Sequence, residues 1–506
     1  MNANIDKTNF LATLLIILLV SVPLILSPEK GAAVVIESYQ FIALNFGWLY
    51  QLAGVAVLVF LLWLAFGRFG AVKLGRDGDD PEFSTYSWIA MLFCASIGAG
   101  LMYWSAIEWA HYYQAPPFGA EPGSAEAADW ASAYGIFHWG FIAWGFYCLP
   151  TLAIAYPFYA ERVPLLKYSL ACHYWLGGHE HSPFARAMDF LFMMALIGGA
   201  GSSLGFSTPL IAALISQLTG IEPSFALETL VVGICVIAFA TSVYLGLQRG
   251  IKRLSDINMA IAMGLLAFVF LAGPTLFILK TSLNSVGVVV QNFVAMATWT
   301  DPFTDSGFVE DWTVFYWAWW IAYGPFVGLF VTRISRGRSI RQVVLGMLLW
   351  GTLGGALFYM VLGNYSLGLQ MSGELDVVAV MQAADGNQAI VAAFEQLPMA
   401  ELAIALFCFV SIVFSATTYD SASYTLASNA SLELHPSEDP PRWHRTFWAF
   451  ALAVLPLTLM YIGGFRVAQT AVLVVSLPIL VTGILSAWCL TRSLYRDFPA
   501  GKDSRS

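Results

Sequence analysis

Charge is scarce in this chain of 506 residues: only 11% of the residues are Asp, Glu, Lys or Arg, whereas 58% are hydrophobic. Such a composition cannot cover the surface of a large soluble domain and is typical of an integral membrane protein. The mean hydropathy of +0.71 supports the same interpretation. We therefore expect a chain that lies mostly within a lipid bilayer.

Cysteine is also scarce, since the chain has six cysteines and none of them forms a CxxC pair. The sequence therefore predicts neither a disulfide framework nor a zinc site. A Walker A loop, an HExxH motif and a nucleophile elbow are missing as well, which disfavours an enzyme. His179 and His181 lie in a short polar loop, where solvation is a simpler interpretation than metal binding. We expect no catalytic residues and no bound cofactor.

Long hydrophobic segments recur along the whole chain. A spanning helix needs about 20 residues, and twelve segments reach that length. The first is followed by Ser27-Pro28 without a small-residue cleavage site, so it is interpreted as a retained span and not as a signal peptide. The sequence thus predicts an all-α membrane protein of twelve transmembrane helices. The predicted spans are 10–28, 47–67, 86–113, 131–160, 186–218, 226–247, 257–281, 311–334, 341–370, 397–428, 446–464 and 467–491.

Lysine and arginine are concentrated in the loops on one side of these spans, whereas the loops on the other side are acidic. By the positive-inside rule the basic side is cytoplasmic, and both termini lie there. The basic residues of that side are Lys7, Arg68, Lys73, Arg76, Arg162, Lys167, Arg186, Arg249, Lys252, Arg253, Arg333, Arg336, Arg338, Arg341, Arg442, Arg445, Arg492, Arg496, Lys502 and Arg505.

Two of the predicted spans contain residues that interrupt helices. Gly324-Pro325 falls in the middle of the eighth span, and proline there removes a helical hydrogen bond. The third span contains the small residues Ser96 to Gly100, which suit either close helix packing or an unwound backbone around a ligand. Two interrupted helices that each begin a set of five spans indicate an inverted repeat with its binding site between the halves.

Domain boundaries follow from that repeat. Residues 1–84 would form two additional helices, 85–282 the first five-helix repeat, 283–492 an outer segment with the second repeat, and 493–506 a short cytoplasmic tail.

Aromatic residues are dense beside the predicted break of the eighth span. Trp319, Trp320 and Tyr323 lie there, while Trp317 is a turn away from the face of Trp320 and is expected to tolerate change. Trp139, Trp144 and Tyr147 line the fourth span. Aromatic faces attract cations, quaternary ammonium groups above all. An interfacial aromatic belt is the alternative for the eighth span, and core packing is the alternative for the fourth.

These stretches resemble the betaine/carnitine/choline transporter family. The resemblance rests on FHWGFIAWGFY at 137–147, on the region 312–338, on the glycine-rich third span and on AGSSLG at 200–205. It covers about residues 40 to 490. It implies a LeuT-like fold with a 5+5 inverted repeat (spans 3–7 and 8–12), a location in the bacterial inner membrane and a homotrimer surrounded by membrane lipid.

The resemblance also implies site residues. Trp139, Trp144, Tyr147 and Trp320 would form an aromatic box around the onium group of the substrate, and Trp319 and Tyr323 would line its path. The backbone of Ser96, Ile97, Gly98, Ala99 and Gly100 would take the substrate carboxylate. Proton-coupled choline carriers have an aspartate where Gly100 stands, so a zwitterion is favoured over choline.

A sodium ion is the implied coupling ion. Thr417 and Thr418 carry adjacent hydroxyls, and the carbonyls of Cys94 and Ile97 would complete their site; back-bonding of both hydroxyls to their own helix is the alternative. Ser202, Ser203 and Phe326 are a weaker candidate for a second ion. Glu108 is a carboxylate within the third span, which is functional by default unless it only caps the outer end of the span.

Three functions remain open from the sequence. The first is Na⁺-coupled symport of an onium zwitterion such as glycine betaine, carnitine or dimethylsulfoniopropionate. The second is a Na⁺-independent antiporter of carnitine-like compounds, which Tyr323 favours because it resembles the exchanger branch. Against it, those exchangers carry an arginine where this chain has Asn258. A channel or a membrane enzyme is the third.

Overall fold

The computed structural model describes residues 5–76, 78–245, 248–432, 434, 438–462 and 465–499. Over these ranges the protein is all-α, with only two isolated β-bridges, Ile5 to Ser431 and Lys73 to Ser339. Lys502 and Arg505, and with them most of the predicted tail, lie outside the described residues. Eleven helices are long and apolar enough to cross a membrane, or twelve when one bent pair counts as a single span.

The first half of the chain begins with two long helices. The third and the fourth span that follow are each divided into two helices. Its helices are α1 (Lys7–Leu26), α2 (Pro28–Phe66), α3 (Thr85–Ala95), α4 (Ala99–Gln114), α5 (Ala125–His138), α6 (Phe141–Ala155), the short α7 (His173–Leu176), α8 (Pro183–Thr219), α9 (Phe225–Leu245) and α10 (Gln248–Ala272).

The second half contains several wide π-helical turns, among them Val309–Val314 directly before α12. Its helices are α11 (Thr275–Thr298), α12 (Phe315–Ile334), α13 (Ile340–Gly346), α14 (Thr352–Phe358), α15 (Asn364–Ser372), α16 (Val377–Ala383), α17 (Gly386–Glu395), α18 (Ala400–Asn429), α19 (Arg442–Ile462) and α20 (Phe465–Asp497).

The third span is broken as the sequence predicts: α3 and α4 meet at an angle of 61°. The fourth span is interrupted as well, between His138 at the end of α5 and Phe141 at the start of α6. Gly140 lies at this interruption, and a Cβ atom there would stand 2.6 Å from the carbonyl oxygen of Ile136. Glycine is therefore required where the backbone doubles back so closely.

The predicted break of the eighth span is wrong. Helix α12 runs through Gly324-Pro325 without interruption and packs along α6. A Cβ atom at Gly324 would lie 2.9 Å from the carbonyl oxygen of Phe146, and one at Gly328 would lie 3.0 Å from the amide nitrogen of Thr151. The two glycines therefore allow α12 to pack closely against α6.

Helix α11 was not predicted, because its sequence falls between a predicted span and an outer loop. The start of α11 packs near Gly368: a Cβ atom at Gly368 would lie 3.0 Å from Pro274, the residue before the helix. At its other end Trp299 stacks on Phe118, with ring centroids 4.2 Å apart. Both ends thus reach the side that carries the acidic loops, which we call the acidic face; the opposite side, with the arginine-rich loops, is the basic face.

Candidate functional site

A cavity of about 240 Å³ lies at the break of the third span, between α6, α12 and α18. The helix interruptions on the first half of the chain and the aromatic face of α12 meet here. All the predicted substrate contacts and all the predicted contacts of the first sodium ion line it. These residues are Cys94, Ser96, Ile97, Gly98, Ala99, Gly100, Trp139, Trp144, Tyr147, Trp319, Trp320, Tyr323, Thr417 and Thr418.

The aromatic residues form two roughly perpendicular pairs. The rings of Trp139 and Trp320 meet edge to face at 4.7 Å and 70°, and those of Trp144 and Tyr147 at 5.4 Å and 84°. Tyr147 in turn stands edge-on to Trp320 at 5.9 Å. All four rings line the cavity, and aromatic faces attract an onium group. We call these four residues the aromatic box.

Two further rings extend the wall along α12. Trp319 lies almost parallel to Trp320, with centroids 5.3 Å apart, and its indole nitrogen donates a hydrogen bond of 3.3 Å to the carbonyl oxygen of Gly199. A Cβ atom at Gly199 would stand 2.6 Å from the ring of Tyr323. The glycine in α8 therefore makes room for Tyr323 beside the box.

The unwound backbone faces the box across the cavity. Helix α4 begins at Ala99, its N-cap Gly98 has an extended backbone, and the first amide of the helix to find a backbone partner is that of Leu101. The amides of Ala99 and Gly100 therefore lie ahead of the first helical hydrogen bond, at the positive end of the α4 dipole. Such a helix start suits a carboxylate. A Cβ atom at Gly98 would meet no atom within 4 Å, so this backbone is open to a ligand.

The threonine pair of α18 stands on the same cavity. Both hydroxyls donate to the carbonyl oxygen of Phe414, at 3.0 Å from Thr417 and 2.9 Å from Thr418. The back-bonding that the sequence left as an alternative is therefore present. It does not compete with cation binding, because each hydroxyl donates its proton to the carbonyl and keeps lone pairs as acceptors. Neutral oxygen ligands of this kind fit a hard cation.

The weaker second ion site is only partly assembled. Ser203 and Phe326 line the cavity, whereas Ser202 is absent from the described residues that line it. The Ser202 hydroxyl donates to the carbonyl oxygen of Gly198 at 2.9 Å, within α8. Ser202 and Ser203 are neighbours on a helix and point in different directions, so the second ion site stays a prediction that rests on Ser203 and Phe326 at this cavity.

Sequence reasoning missed the glycines of the ninth span. A Cβ atom at Gly351 would lie 2.2 Å from the indole of Trp144, and one at Gly354 would lie 2.0 Å from the hydroxyl oxygen of Ser96. Gly355 itself lines the cavity beside Trp139. The signal was the spacing of the three glycines, which places them on one helix face.

Access to the cavity differs between the two faces. Toward the basic face it adjoins a vestibule of about 630 Å³, and Ala95, Phe326, Val327 and Ser421 line both spaces. Toward the acidic face it is closed by an aromatic layer. Trp104 forms this layer with Phe206 at 5.1 Å, Trp312 at 5.9 Å and Phe315 at 6.0 Å. The site therefore opens to the basic face in this structure.

Comparisons with known proteins show which family this chain resembles. Residues 8–499 match the family model described as the betaine/carnitine/choline family transporter. A carnitine transporter of Acinetobacter baumannii is 32% identical over 87% of this chain and 80% of its own length. A glycine betaine transporter of Acinetobacter baylyi is 33% identical over 98% of this chain and 74% of its own. A solved Na⁺-coupled sialic acid symporter shares 13% identity, with a TM-score of 0.35 and 82% of each chain covered.

Proposed function

The chain belongs to the betaine/carnitine/choline transporter family, and from this premise we propose that it imports a small zwitterion with a quaternary ammonium or sulfonium group. Membership makes the protein a multi-pass membrane transporter and not an enzyme. Glycine betaine, carnitine and dimethylsulfoniopropionate are the substrates that fit the cavity's chemistry. Choline fits less well, because Gly100 supplies no carboxylate to a ligand that lacks one of its own.

One observation carries the proposal: the aromatic box and the start of α4 line the same cavity of about 240 Å³. The box favours a cation that cannot donate hydrogen bonds, and the helix start favours a carboxylate. A zwitterion satisfies both at once, whereas a simple cation or anion satisfies one. Three of the four box residues, Trp144, Tyr147 and Trp320, are buried, and Trp139 is half-buried, so most of the box surface is shielded from water.

Sodium coupling is the second part of the proposal. The hydroxyls of Thr417 and Thr418 and the backbone at Cys94 and Ile97 supply oxygen ligands on one wall of the cavity. Asn258 is fully buried and its amide nitrogen donates to the carbonyl oxygen of Val410 at 3.4 Å. The exchangers that the sequence resembles carry an arginine there. A neutral side chain at that position leaves the positive charge to be supplied by an ion.

A Na⁺-independent exchange of carnitine-like compounds is the second candidate. Tyr323, the residue that resembles the exchanger branch, lies on the cavity wall. It touches the substrate path, however, and has no role in charge balance.

Transport would proceed by alternating access of two five-helix repeats, spans 3–7 and 8–12, with residues 1–84 as additional helices and both termini cytoplasmic. The vestibule on the basic face would then be the cytoplasmic exit. By family resemblance we further propose a homotrimer in the bacterial inner membrane.

Uptake of labelled glycine betaine, carnitine and dimethylsulfoniopropionate into proteoliposomes tests the proposal. An inward Na⁺ gradient is compared with an equal K⁺ gradient, with and without unlabelled substrate inside. Accumulation driven by Na⁺ alone is expected. Uptake that needs internal substrate and ignores Na⁺ supports exchange instead, and no uptake of any onium compound overturns the proposed substrate class.

A further inference from the structure

A buried carboxylate lies in the helix bundle behind the aromatic box. Glu108 is on α4, its exposure is 0%, and it stands two turns after the unwound segment. Three tyrosine hydroxyls donate hydrogen bonds to it: Tyr112 at 2.6 Å, Tyr316 at 2.5 Å, and Tyr359. Glu108 is enclosed by hydroxyls within the bundle and does not cap the end of the span, where a solvent-exposed side chain would be expected.

The hydrogen bonds around Glu108 run in one direction. His138 lies between Thr313, at 3.1 Å from its Nε2 atom, and Tyr112, at 2.9 Å from its Nδ1 atom. Because the Tyr112 hydroxyl donates to Glu108, it accepts from Nδ1–H, and Nε2 then accepts from the Thr313 hydroxyl. A neutral imidazole satisfies every bond in this series. Glu108 is the acceptor at its end.

No lysine or arginine balances this carboxylate among the described residues. The one basic side chain within ion-pair distance is His138, 3.7 Å from Glu108, and the hydrogen-bond series above uses its neutral form. Hydroxyl donors stabilise a carboxylate without cancelling its charge. As a carboxylate, Glu108 would place a negative charge in the bundle, where the low dielectric extends its reach.

The partners of Glu108 are also the supports of the box. The Tyr316 ring stacks on Trp320, with centroids 5.7 Å apart, and on His138, at 4.8 Å. The Tyr359 ring packs 5.8 Å from Trp139. Tyr316 and Tyr359, which contact Trp320 and Trp139 of the box, are thus both hydrogen-bonded to Glu108.

We propose that Glu108 determines the charge specificity of the site and positions the box. The charge of Glu108 would favour an onium group in the box over a neutral group of the same shape. Its hydrogen bonds would fix Tyr316 and Tyr359 behind Trp320 and Trp139. This inference rests on the proposed onium substrate.

The test uses two ligands that differ in charge alone. Glycine betaine carries a trimethylammonium group, and 3,3-dimethylbutanoate carries a carbon atom in place of the nitrogen. Binding of each to the purified full-length protein is measured by titration calorimetry or by tryptophan fluorescence, and the ratio of their Kd values reports charge specificity. Wild-type protein is expected to prefer glycine betaine.

Glu108→Gln is expected to lower that preference about tenfold or more, since the charge is lost while the shape is nearly kept. Tyr316→Phe removes one donor and keeps the charge, so both ligands should weaken and the ratio should stay. Glu108→Asp keeps the charge, so its ratio should stay as well. If Glu108→Gln fails to fold, a ratio that falls in Glu108→Asp overturns the inference.

Equal losses of both ligands in Glu108→Gln would reduce the residue to a structural role and overturn the inference. A different result would contradict the proposed function itself: wild-type protein that binds both ligands alike does not select an onium group. The two failures are therefore distinguishable in the same titration.

Discussion

The indole nitrogen of Trp320 donates a hydrogen bond of 2.8 Å to the backbone carbonyl oxygen of His138. The carbonyl belongs to the last residue of α5, at the interruption of the fourth span. One wall of the box on α12 is thereby fixed to the span that carries the other wall.

Trp320 is therefore the residue whose replacement should damage binding most clearly. Trp320→Leu removes a ring face worth about 0.5–2 kcal/mol to a bound cation together with the hydrogen bond. We expect substrate affinity to fall at least about tenfold, and Trp320→Phe to retain part of it. The measurement is the Kd of glycine betaine in detergent.

The control for this prediction comes from another tryptophan. The sequence suggested Trp317, but it is fully buried and packs against Phe137 at 5.6 Å and Phe146 at 6.1 Å, so its replacement should cost stability. Trp48, 57% exposed on α2, is the better choice. Equal losses of affinity in Trp48→Leu and Trp320→Leu would contradict the assignment of the box.

Gly351→Ala should disturb the box from the opposite side. Its new methyl group would lie 2.2 Å from the indole of Trp144, so that ring must shift away from the cavity. We expect weaker substrate binding without a change in Na⁺ affinity. Gly287→Ala on α11 is the matched control, because its methyl group meets nothing within 4 Å and should stabilise the helix by about 0.5–1 kcal/mol. Unchanged substrate binding in Gly351→Ala would refute the prediction.

The threonine pair makes the sodium proposal testable. Thr417→Ala combined with Thr418→Ala removes two oxygen ligands from the cavity wall. The Na⁺ concentration for half-maximal uptake is expected to rise several-fold, while binding of substrate at saturating Na⁺ changes less. Thr298→Ala is the control, since its hydroxyl also donates to its own helix, at 2.8 Å, but lies away from the cavity. An unchanged Na⁺ dependence in the double variant would contradict the assignment of the sodium site to this pair.

His173 predicts a pH dependence of stability at the basic face. Its Nε2 atom lies 3.2 Å from Glu161 and its Nδ1 atom 2.9 Å from Glu180. The hydrogen bond with Glu161 raises the pKa of His173 above its usual 6.5. Because the pKa of His173 is higher in the folded state than in the unfolded state, the charged form stabilises the fold. This stabilisation is fully present at pH values below the unfolded-state pKa and is lost as the pH rises through the folded-state pKa.

Thermal unfolding from about pH 6 to about pH 9 checks this dependence. The wild type should exceed His173→Gln in melting temperature at the acidic end, and the difference should shrink at the basic end. His181→Gln, in the same loop and exposed, should leave the profile unchanged. A difference between wild type and His173→Gln that does not vary with pH would contradict the role of the charged form.

Much of the site could be predicted from the sequence because helical spacing determines which side chains share a face. The positions of Trp144 and Tyr147 in the fourth span, and of Trp319, Trp320 and Tyr323 in the eighth, already indicate one wall each. The small residues from Ser96 to Gly100 did not predict their break alone, because they suit close helix packing as well. The break was inferred together with a break of the eighth span, which is wrong.

The remainder depends on distances between helices, which no local pattern contains. Gly324-Pro325 was expected to break α12, yet the glycine allows α6 to approach and the helix continues. Helix α11 escaped prediction because its first residues were assigned to the seventh span, 257–281, and the rest to an outer segment. The partners of Glu108 come from four spans, so only the folded bundle brings them together.

The aromatic layer over the site has a thermodynamic consequence. For the cavity to open toward the acidic face, Trp104 must separate from Phe206, Trp312 and Phe315, and these rings then meet water. Exposure of apolar surface raises the heat capacity and becomes less unfavourable on cooling. Cold should therefore shift the resting population toward the form that is open to the acidic face, and the temperature dependence of transport should be curved even in a bilayer that does not change phase.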